Sequence, residues 1–306
     1  LAERWDASAI RSFPKSAHGP QRAAGTDPER VQELARRLLA AERPLLITGY
    51  GGRSRRTSNA IERLSRLAGM RVVENSPIVN IGREFAGYAG SQSAPFLPQT
   101  DFGLLVDVDV PWIPRDVSPH PAAFWGQIDI DTVKATIPMW SFPSHLRVQG
   151  DSGRVLEQLA DAIEQAAMPA FGSAAAARWR AMEAEYAARK EKAQALASDR
   201  GSIDAINPEY FAAQLGARLG AEDTVLAEAV TNNPALARQI PRPVAGTMIR
   251  HGGSGLGAAG GLALGVKLAR PEHVAVQIIG DGGSYFGNLD SVFAVSCENN
   301  LPIFSI

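Results

Sequence analysis

What most constrains this chain is a recurrence of short apolar runs, each ending on glycine or one polar residue and each followed by a helical period. Leu45-Leu46-Ile47-Thr48 runs into Gly49, and residues 70–74 close on Glu74. Residues 224–228 close on Glu228, and residues 273–279 run into Gly280-Asp281-Gly282-Gly283. Runs this short and this apolar offer no polar face to water, so helices must cover both faces of the sheet they form. The alternation predicts α/β architecture with two doubly wound parallel-sheet domains.

The punctuation divides the chain. Residues 1–26, with Pro14, Gly19, Pro20 and Gly25, read as a linker. A first domain spans 27–165. Asp27 caps and Pro28 opens its first helix, whose apolar face is Val31, Leu34, Ala35 and Leu38. Strands are expected at 45–48, 70–74, 102–108, 126–130 and 146–148, with 75–100 as loop. Residues 166–202 read as a connecting helix; its mixed charges, Arg178 to Lys192, suit a solvated face. A second domain, 203–306, opens at Asn207-Pro208 and holds strands at 224–228 and 273–279 and a helix over about 288–298. The run Leu301-Pro302-Ile303-Phe304-Ser305-Ile306 reads as the start of a further buried strand. Starting at Leu1 and stopping inside that run, the sequence reads as the middle of a longer chain.

Charge narrows the function. With 31 Lys and Arg against 32 Asp and Glu, the net charge of −1 leaves no basic excess for nucleic acid or an acidic membrane surface. The single Cys297 excludes an internal disulfide and a cysteine-rich zinc site, and fits a reducing, cytoplasmic setting. No run of about 18 apolar residues is present, so no membrane span is expected. The histidines have no metal-ligand spacing, and only His251 stands beside candidate chemistry.

That chemistry centres on Gly280-Asp281-Gly282-Gly283. An apolar strand delivers one carboxylate where α/β sheets bind ligands, and flanking glycines let backbone N–H groups approach a phosphate. A hard cation such as Mg²⁺ suits the carboxylate; the alternative is a helix cap. Upstream, Gly246 to Gly265 holds eight glycines in twenty residues, interleaved with Leu256, Leu262, Leu264 and Val266. This fits a tight loop entering a small-residue helix packed on a sheet or a cofactor. Thr231, in Glu228-Ala229-Val230-Thr231-Asn232-Asn233, offers a phosphate donor or ordinary turn chemistry. Finally, Gly49-Tyr50-Gly51-Gly52-Arg53-Ser54 with Glu74 resembles a dinucleotide fingerprint, with Ser54 where its third glycine would stand. A nucleotide (NAD or FAD)-binding module is therefore the alternative function.

Ser254-Gly255-Leu256-Gly257, the run from Ala263 to Pro271 and Gly280-Asp281-Gly282 together resemble the thiamine-diphosphate enzymes of the acetolactate synthase, benzoylformate decarboxylase and pyruvate decarboxylase group. The resemblance implies a Rossmann-like central domain followed by an incomplete diphosphate-binding domain. It implies thiamine diphosphate and Mg²⁺ as cofactors, a 2-oxo acid as substrate, decarboxylation or carboligation as reaction, and a homodimer or homotetramer. Asp281 matches the metal ligand, and Gly280, Gly282 and Gly283 the backbone at the diphosphate. Thr231 lies where a diphosphate-binding hydroxyl is found, and Leu256 where an apolar side chain wedges the cofactor. The Ser254 backbone and its neighbour Gly255 lie where the aminopyrimidine is met. The family's second metal-binding residue would fall just past Ile306, and its pyrimidine-binding domain before Leu1, so this chain alone is expected to be inactive. Asp107-Val108-Asp109-Val110-Pro111 stands where some members contact a flavin, and no flavin is expected.

Overall fold

The computed structural model describes residues 14–17, 19, 24–137, 140–250 and 255–306. Its first sheet contains β1 (Pro44–Thr48), β2 (Arg71–Glu74), β3 (Phe102–Val106), β4 (Phe124–Asp129) and β5 (Leu146–Gln149). All five strands are parallel, in the order β2-β1-β3-β4-β5. α1 (Pro28–Leu39), α2 (Arg55–Ala68) and α3 (Ser152–Ala166) share one core with the strand residues Leu46, Val72, Leu104, Ile128 and Val148. The alternate residues Leu45, Ile47, Val73, Leu105 and Trp125 pack against Leu97, Val108 and Trp112, which lie outside the strands, so irregular chain covers much of that second face. The expected start of α1 holds, since Asp27 accepts from the Glu29 N–H. Ser54, read only as standing at the fingerprint's third glycine, caps α2 by accepting the Thr57 N–H.

α4 (Pro169–Ala197) follows. The expected solvated helix is corrected on one side: Ala175, Trp179 and Met182 are buried against the first sheet's core. Arg178 donates to Ala68 O and Gly69 O, the carbonyls left over at the end of α2, and Arg71 makes a two-pronged pair with Glu185.

The second sheet holds β6 (Thr224–Glu228), β7 (Met248–Ile249), β8 (Ala275–Ile279) and β9 (Phe304–Ser305), parallel and in the order β7-β6-β8-β9. α5 (Pro208–Gly216) and α6 (Asn233–Gln239) cover one face through Ala212, Leu236 and Ile240. α7 (Ala259–Ala269) covers the other through Ala259 and Ala263. α8 (Asp281–Phe286) and α9 (Leu289–Glu298) complete the unit. The strand expected over 301–306 forms from Phe304 on: Phe304 and Ser305 pair with β8, and Ile306 gives its N–H to Gln277 O and takes that of Ile279. Its burial is corrected, since Phe304 and Ile306 are exposed on this edge strand. Pro302 has no N–H to give a ladder, which delays pairing to Phe304.

Residues 75–100 do more than link strands. They cross to the second sheet, where Val79 forms an antiparallel bridge with Ile249.

Candidate functional site

In an open α/β sheet, ligands sit beyond the C-terminal strand ends where the winding direction reverses. In the second sheet that point lies between β6 and β8, whose ends pair Glu228 with Ile279. The two strands deliver Glu228 and, one turn further, Gly280-Asp281 to the same edge.

Glu228 is fully buried. Its carboxylate accepts the N–H of Gly257 and, at 2.7 Å, the N–H of Ala259. An apolar β6 thus carries a buried carboxyl group to its end, where the loop amide of Gly257 and the first amide of α7 meet it. Gly257 has φ +86, and a Cβ there would lie 2.6 Å from Gly287 Cα. Only glycine lets the two segments touch. At Gly283 a Cβ would come 3.2 Å from Glu228 Oε1. The end of β6, the loop at 255–259 and the turn at 280–287 therefore form one contiguous assembly.

Within it, Gly255, Gly280 and Gly282 face open space: a Cβ at any of them meets no described heavy atom within 4 Å. The first backbone bond of the next turn runs from Ser284 N to Gly280 O. The N–H groups of Asp281, Gly282 and Gly283 thus have no acceptor among the described residues. Gly280, not Asp281, is the N-cap of α8, and the Asp281 carboxylate is exposed, without a partner among the described residues. The cap alternative for Asp281 is therefore not what the structure shows. Leu256, 42% exposed, projects between the two loop glycines Gly255 and Gly257. Thr231 is exposed on the turn leaving β6, where the N–H groups of Asn232 and Asn233 bond Ala229 O. Ser254 and His251 lie outside the described residues.

The arrangement fits a diphosphate and a divalent cation. Free amides and an open glycine cradle suit phosphate oxygens, and the lone carboxylate needs a cation between it and a diphosphate. Among the described residues no group of three or more His, Cys, Asp or Glu side chains is placed to hold a metal ion. A cation at Asp281 would then draw its other ligands from phosphate and water, as Mg²⁺ commonly does.

The fingerprint at the first sheet is closed from inside. A Cβ at Gly52 would lie 2.2 Å from the carbonyl oxygens of Val79 and Asn80, so that glycine admits the protein's own chain. Glu74 is buried, accepts from the Ile81 N–H, and pairs with Arg83 at 2.6 Å. Burial pushes the Glu74 carboxyl up, while Arg83 and the Ile81 amide hold against it. This carboxylate is already engaged and cannot turn to a ribose. Beside it, Tyr50 donates to Asp109, and the Lys134 ammonium bonds both Asp109 and Asp129.

The sequence reading missed Glu228 and the strap at 78–83. Glu228 had a visible signal, a carboxylate closing an apolar run as Asp281 nearly does. The strap had none, because its partners lie far along the chain.

Residues 228–306 match the family model "Thiamine pyrophosphate enzyme, C-terminal TPP binding domain". No curated protein matches the chain. Among solved structures, a Mycobacterium smegmatis protein described as a thiamin diphosphate-dependent enzyme aligns at TM-score 0.67 and 18% identity, over 97% of this chain and 54% of that one. Benzoylformate decarboxylase from Polynucleobacter necessarius aligns at TM-score 0.67 and 16% identity, over 100% of this chain and 54% of that one. The chain thus spans about half the length of these structures. Residues 228–306 thus match the model of a C-terminal TPP-binding domain, within a chain whose two-sheet fold is that of these two solved structures.

Proposed function

We propose that this chain binds thiamine diphosphate with Mg²⁺ at the C-terminal edge of its second sheet. It would serve an enzyme that acts on 2-oxo acids by decarboxylation or carboligation. The observation that carries this is the assembly of Glu228, the 255–259 loop and the 280–283 turn around an open glycine cradle. In this reading Asp281 holds Mg²⁺, the amides of Gly282 and Gly283 take diphosphate oxygens, and the Thr231 hydroxyl donates to the same group. Gly280 keeps the approach open. Leu256 presses its apolar side chain on the cofactor, and Gly255 lets the loop pass beside it. Glu228 touches no ligand; it holds the loop. When bound, thiamine diphosphate supplies a nucleophilic carbon and an electron sink for the bond next to a carbonyl.

Likeness to a benzoylformate decarboxylase supports a 2-oxo acid substrate but does not choose between lyase and transferase chemistry. No flavin is assigned, since the turn at Gly52 is filled by the protein itself. The exposed apolar side chains Leu262, Leu268, Phe286 and Phe293 around the second sheet support a homodimer or homotetramer. The single cysteine supports a cytoplasmic setting; no helix among the described residues is long and apolar enough to cross a membrane.

The test is a titration of the full-length protein with thiamine diphosphate and Mg²⁺, and separately with NAD and FAD. Saturable, Mg²⁺-dependent binding of thiamine diphosphate is expected. Stoichiometric binding of NAD or FAD, with none of thiamine diphosphate, would establish the nucleotide-module alternative instead. Carbon dioxide release from pyruvate and benzoylformate then tests the reaction class.

A further inference from the structure

The two sheets meet along a seam, where residues 78–83 of the first sheet's connections run beside 242–250 of the second. The fully buried Asn80 side chain accepts the N–H of Thr247 at 2.9 Å and of Met248 at 2.6 Å, and donates to Val244 O at 3.0 Å. Arg250 N donates to Ile78 O at 2.7 Å, and Arg83 N to Arg242 O at 3.0 Å. Backbone pairing thus brings two arginines, one from each side of the seam, to the same place.

A cavity of about 30 Å³ lies there. Arg83 and Tyr88 wall it from the first sheet's side, and Asn233, Leu236, Met248 and Arg250 from the second. The charges around it do not balance. Glu74 pairs with Arg83 at 2.6 Å, and its other oxygen takes the Ile81 N–H. Glu84, the next carboxylate along the chain, is held by Tyr186 and Lys190. Arg189, which bonds Tyr88 O, adds positive charge. The half-buried Arg250 guanidinium has no hydrogen-bond or ion-pair partner among the described residues. Burial lowers its pKa, and the Arg83 charge lowers it further, while Glu74 draws it back. A guanidinium keeps its proton nonetheless, so the charge stays.

Two other groups on the wall are poorly served. Arg83 Nη1 donates to the Met248 thioether at 3.1 Å, and sulfur is a weak acceptor. The Asn233 side-chain oxygen is buried and has no partner among the described residues. Turned half over, the same amide offers its NH₂ instead.

We propose that this cavity binds one halide-sized anion, chloride in the cell, held by the guanidinium groups of Arg250 and Arg83, and that the anion ties the first sheet's unit to the second. An unpaired charge in a partly desolvated seam is costly, and a charge-assisted bond to an anion relieves it. A space of this size holds one or two water-sized atoms, which leaves no room for a phosphate group or a 2-oxo acid. Water there would accept from Arg250 but leave its charge uncompensated. No residue of the 255–259 loop or the 280–283 turn lines the cavity, so the proposal does not depend on the diphosphate reading.

The test is thermal unfolding of the full-length protein at constant ionic strength, with sodium methanesulfonate replaced stepwise by sodium chloride or bromide. Wild type is expected to gain a few degrees in Tm and then level off, as for any ligand that binds only the folded state. Arg250→Met keeps most of the side chain's length without its charge, and is expected to lose that gain. Arg55→Met is the control. It breaks another contact across the seam, the pair with Glu222, and Arg55 does not line the cavity. It is expected to lower Tm and keep the chloride gain. Anomalous scattering from wild-type crystals grown in bromide is expected to show an ion between Arg250 and Arg83. If Arg250→Met does not fold, that bromide signal decides alone. A gain that persists in Arg250→Met places the anion elsewhere, the amides of 281–283 included, and overturns the proposal. A wild-type Tm indifferent to chloride, or a cavity without bromide, does the same.

Discussion

The carboxylate of Glu228 and the backbone amide of Gly257, 29 residues apart in sequence, are hydrogen-bonded across the C-terminal edge of the second sheet. Glu228 also takes the amide of Ala259, the first residue of α7. A buried anion at a strand end is costly unless donors surround it. Here the donors are the loop amide of Gly257 and the free amide of Ala259 at the start of α7. The loop and the carboxylate therefore satisfy each other, and the glycine cradle inherits its shape from that pairing.

Glu228→Gln keeps the shape and one acceptor but sets an NH₂ group against one of the two amides. The change is expected to destabilise the protein by about 1–3 kcal/mol and to weaken thiamine diphosphate binding. Urea denaturation of the full-length protein and a cofactor titration check the two effects. A neutral result in both would show that the loop holds its shape without this carboxylate.

The buried pair Glu74–Arg83 separates breaking a pair from replacing it. Arg83→Ala leaves the Glu74 carboxylate buried with only the Ile81 amide as an observed partner, and is expected to cost about 3–5 kcal/mol. Glu74→Gln with Arg83→Met removes both charges and is expected to cost less than Arg83→Ala alone. A double-mutant cycle from denaturant midpoints reads the difference.

Asp107 gives a pH dependence with a definite sign. It follows β3 directly, with φ +46, and burial pushes its carboxyl up to about 6, against the Ser152 hydroxyl and with help from the charge on Asp129. The unfolded carboxyl titrates near 3.9. Between these values the folded protein holds the proton and the unfolded chain does not. Stability from this group is therefore full below about pH 4, falls as pH rises through about 6, and is level above. Asp107→Asn should abolish that fall, keep the Ser152 bond, and be more stable at pH 7 by about 1–2 kcal/mol after allowance for partial exposure. Denaturation midpoints of both proteins at pH 4 and pH 7 test it. A larger wild-type advantage at pH 7 than at pH 4 would reverse the sign.

The strands at 45–48 and 224–228 were legible because an apolar run with no polar face has few other places to go. Asn207 was legible as a cap because capping is local, and its side chain does accept the Glu209 N–H. Asp281 stood out since it closes a strand between glycines. Glu228 was passed over as turn chemistry, because nothing near it in sequence shows the amides of Gly257 and Ala259. Asn80 was illegible in a stretch that looks like loop: its partners are backbone groups at 244–248, and backbone carries no sequence signal. The helix at 169–197 looked solvated since its charges outnumber Trp179 and Met182, the two large side chains that seat it. Local chemistry was readable, and long-range support of the site was not.

The proposed function makes the second sheet's edge a Mg²⁺–diphosphate site with Asp281 as the protein's metal ligand. The most direct measurement is a Mg²⁺ titration, at fixed thiamine diphosphate, of the full-length protein and of Asp281→Asn. Asp281 is exposed and does not cap α8, so the variant is expected to fold with unchanged thermal stability. Its half-saturating Mg²⁺ concentration is expected to rise by on the order of 10–100-fold, the scale of loss when a metal's surroundings are altered. An Asp281→Asn protein that takes up thiamine diphosphate at the same Mg²⁺ concentration as wild type would contradict the assignment of the metal, and with it the account of this edge.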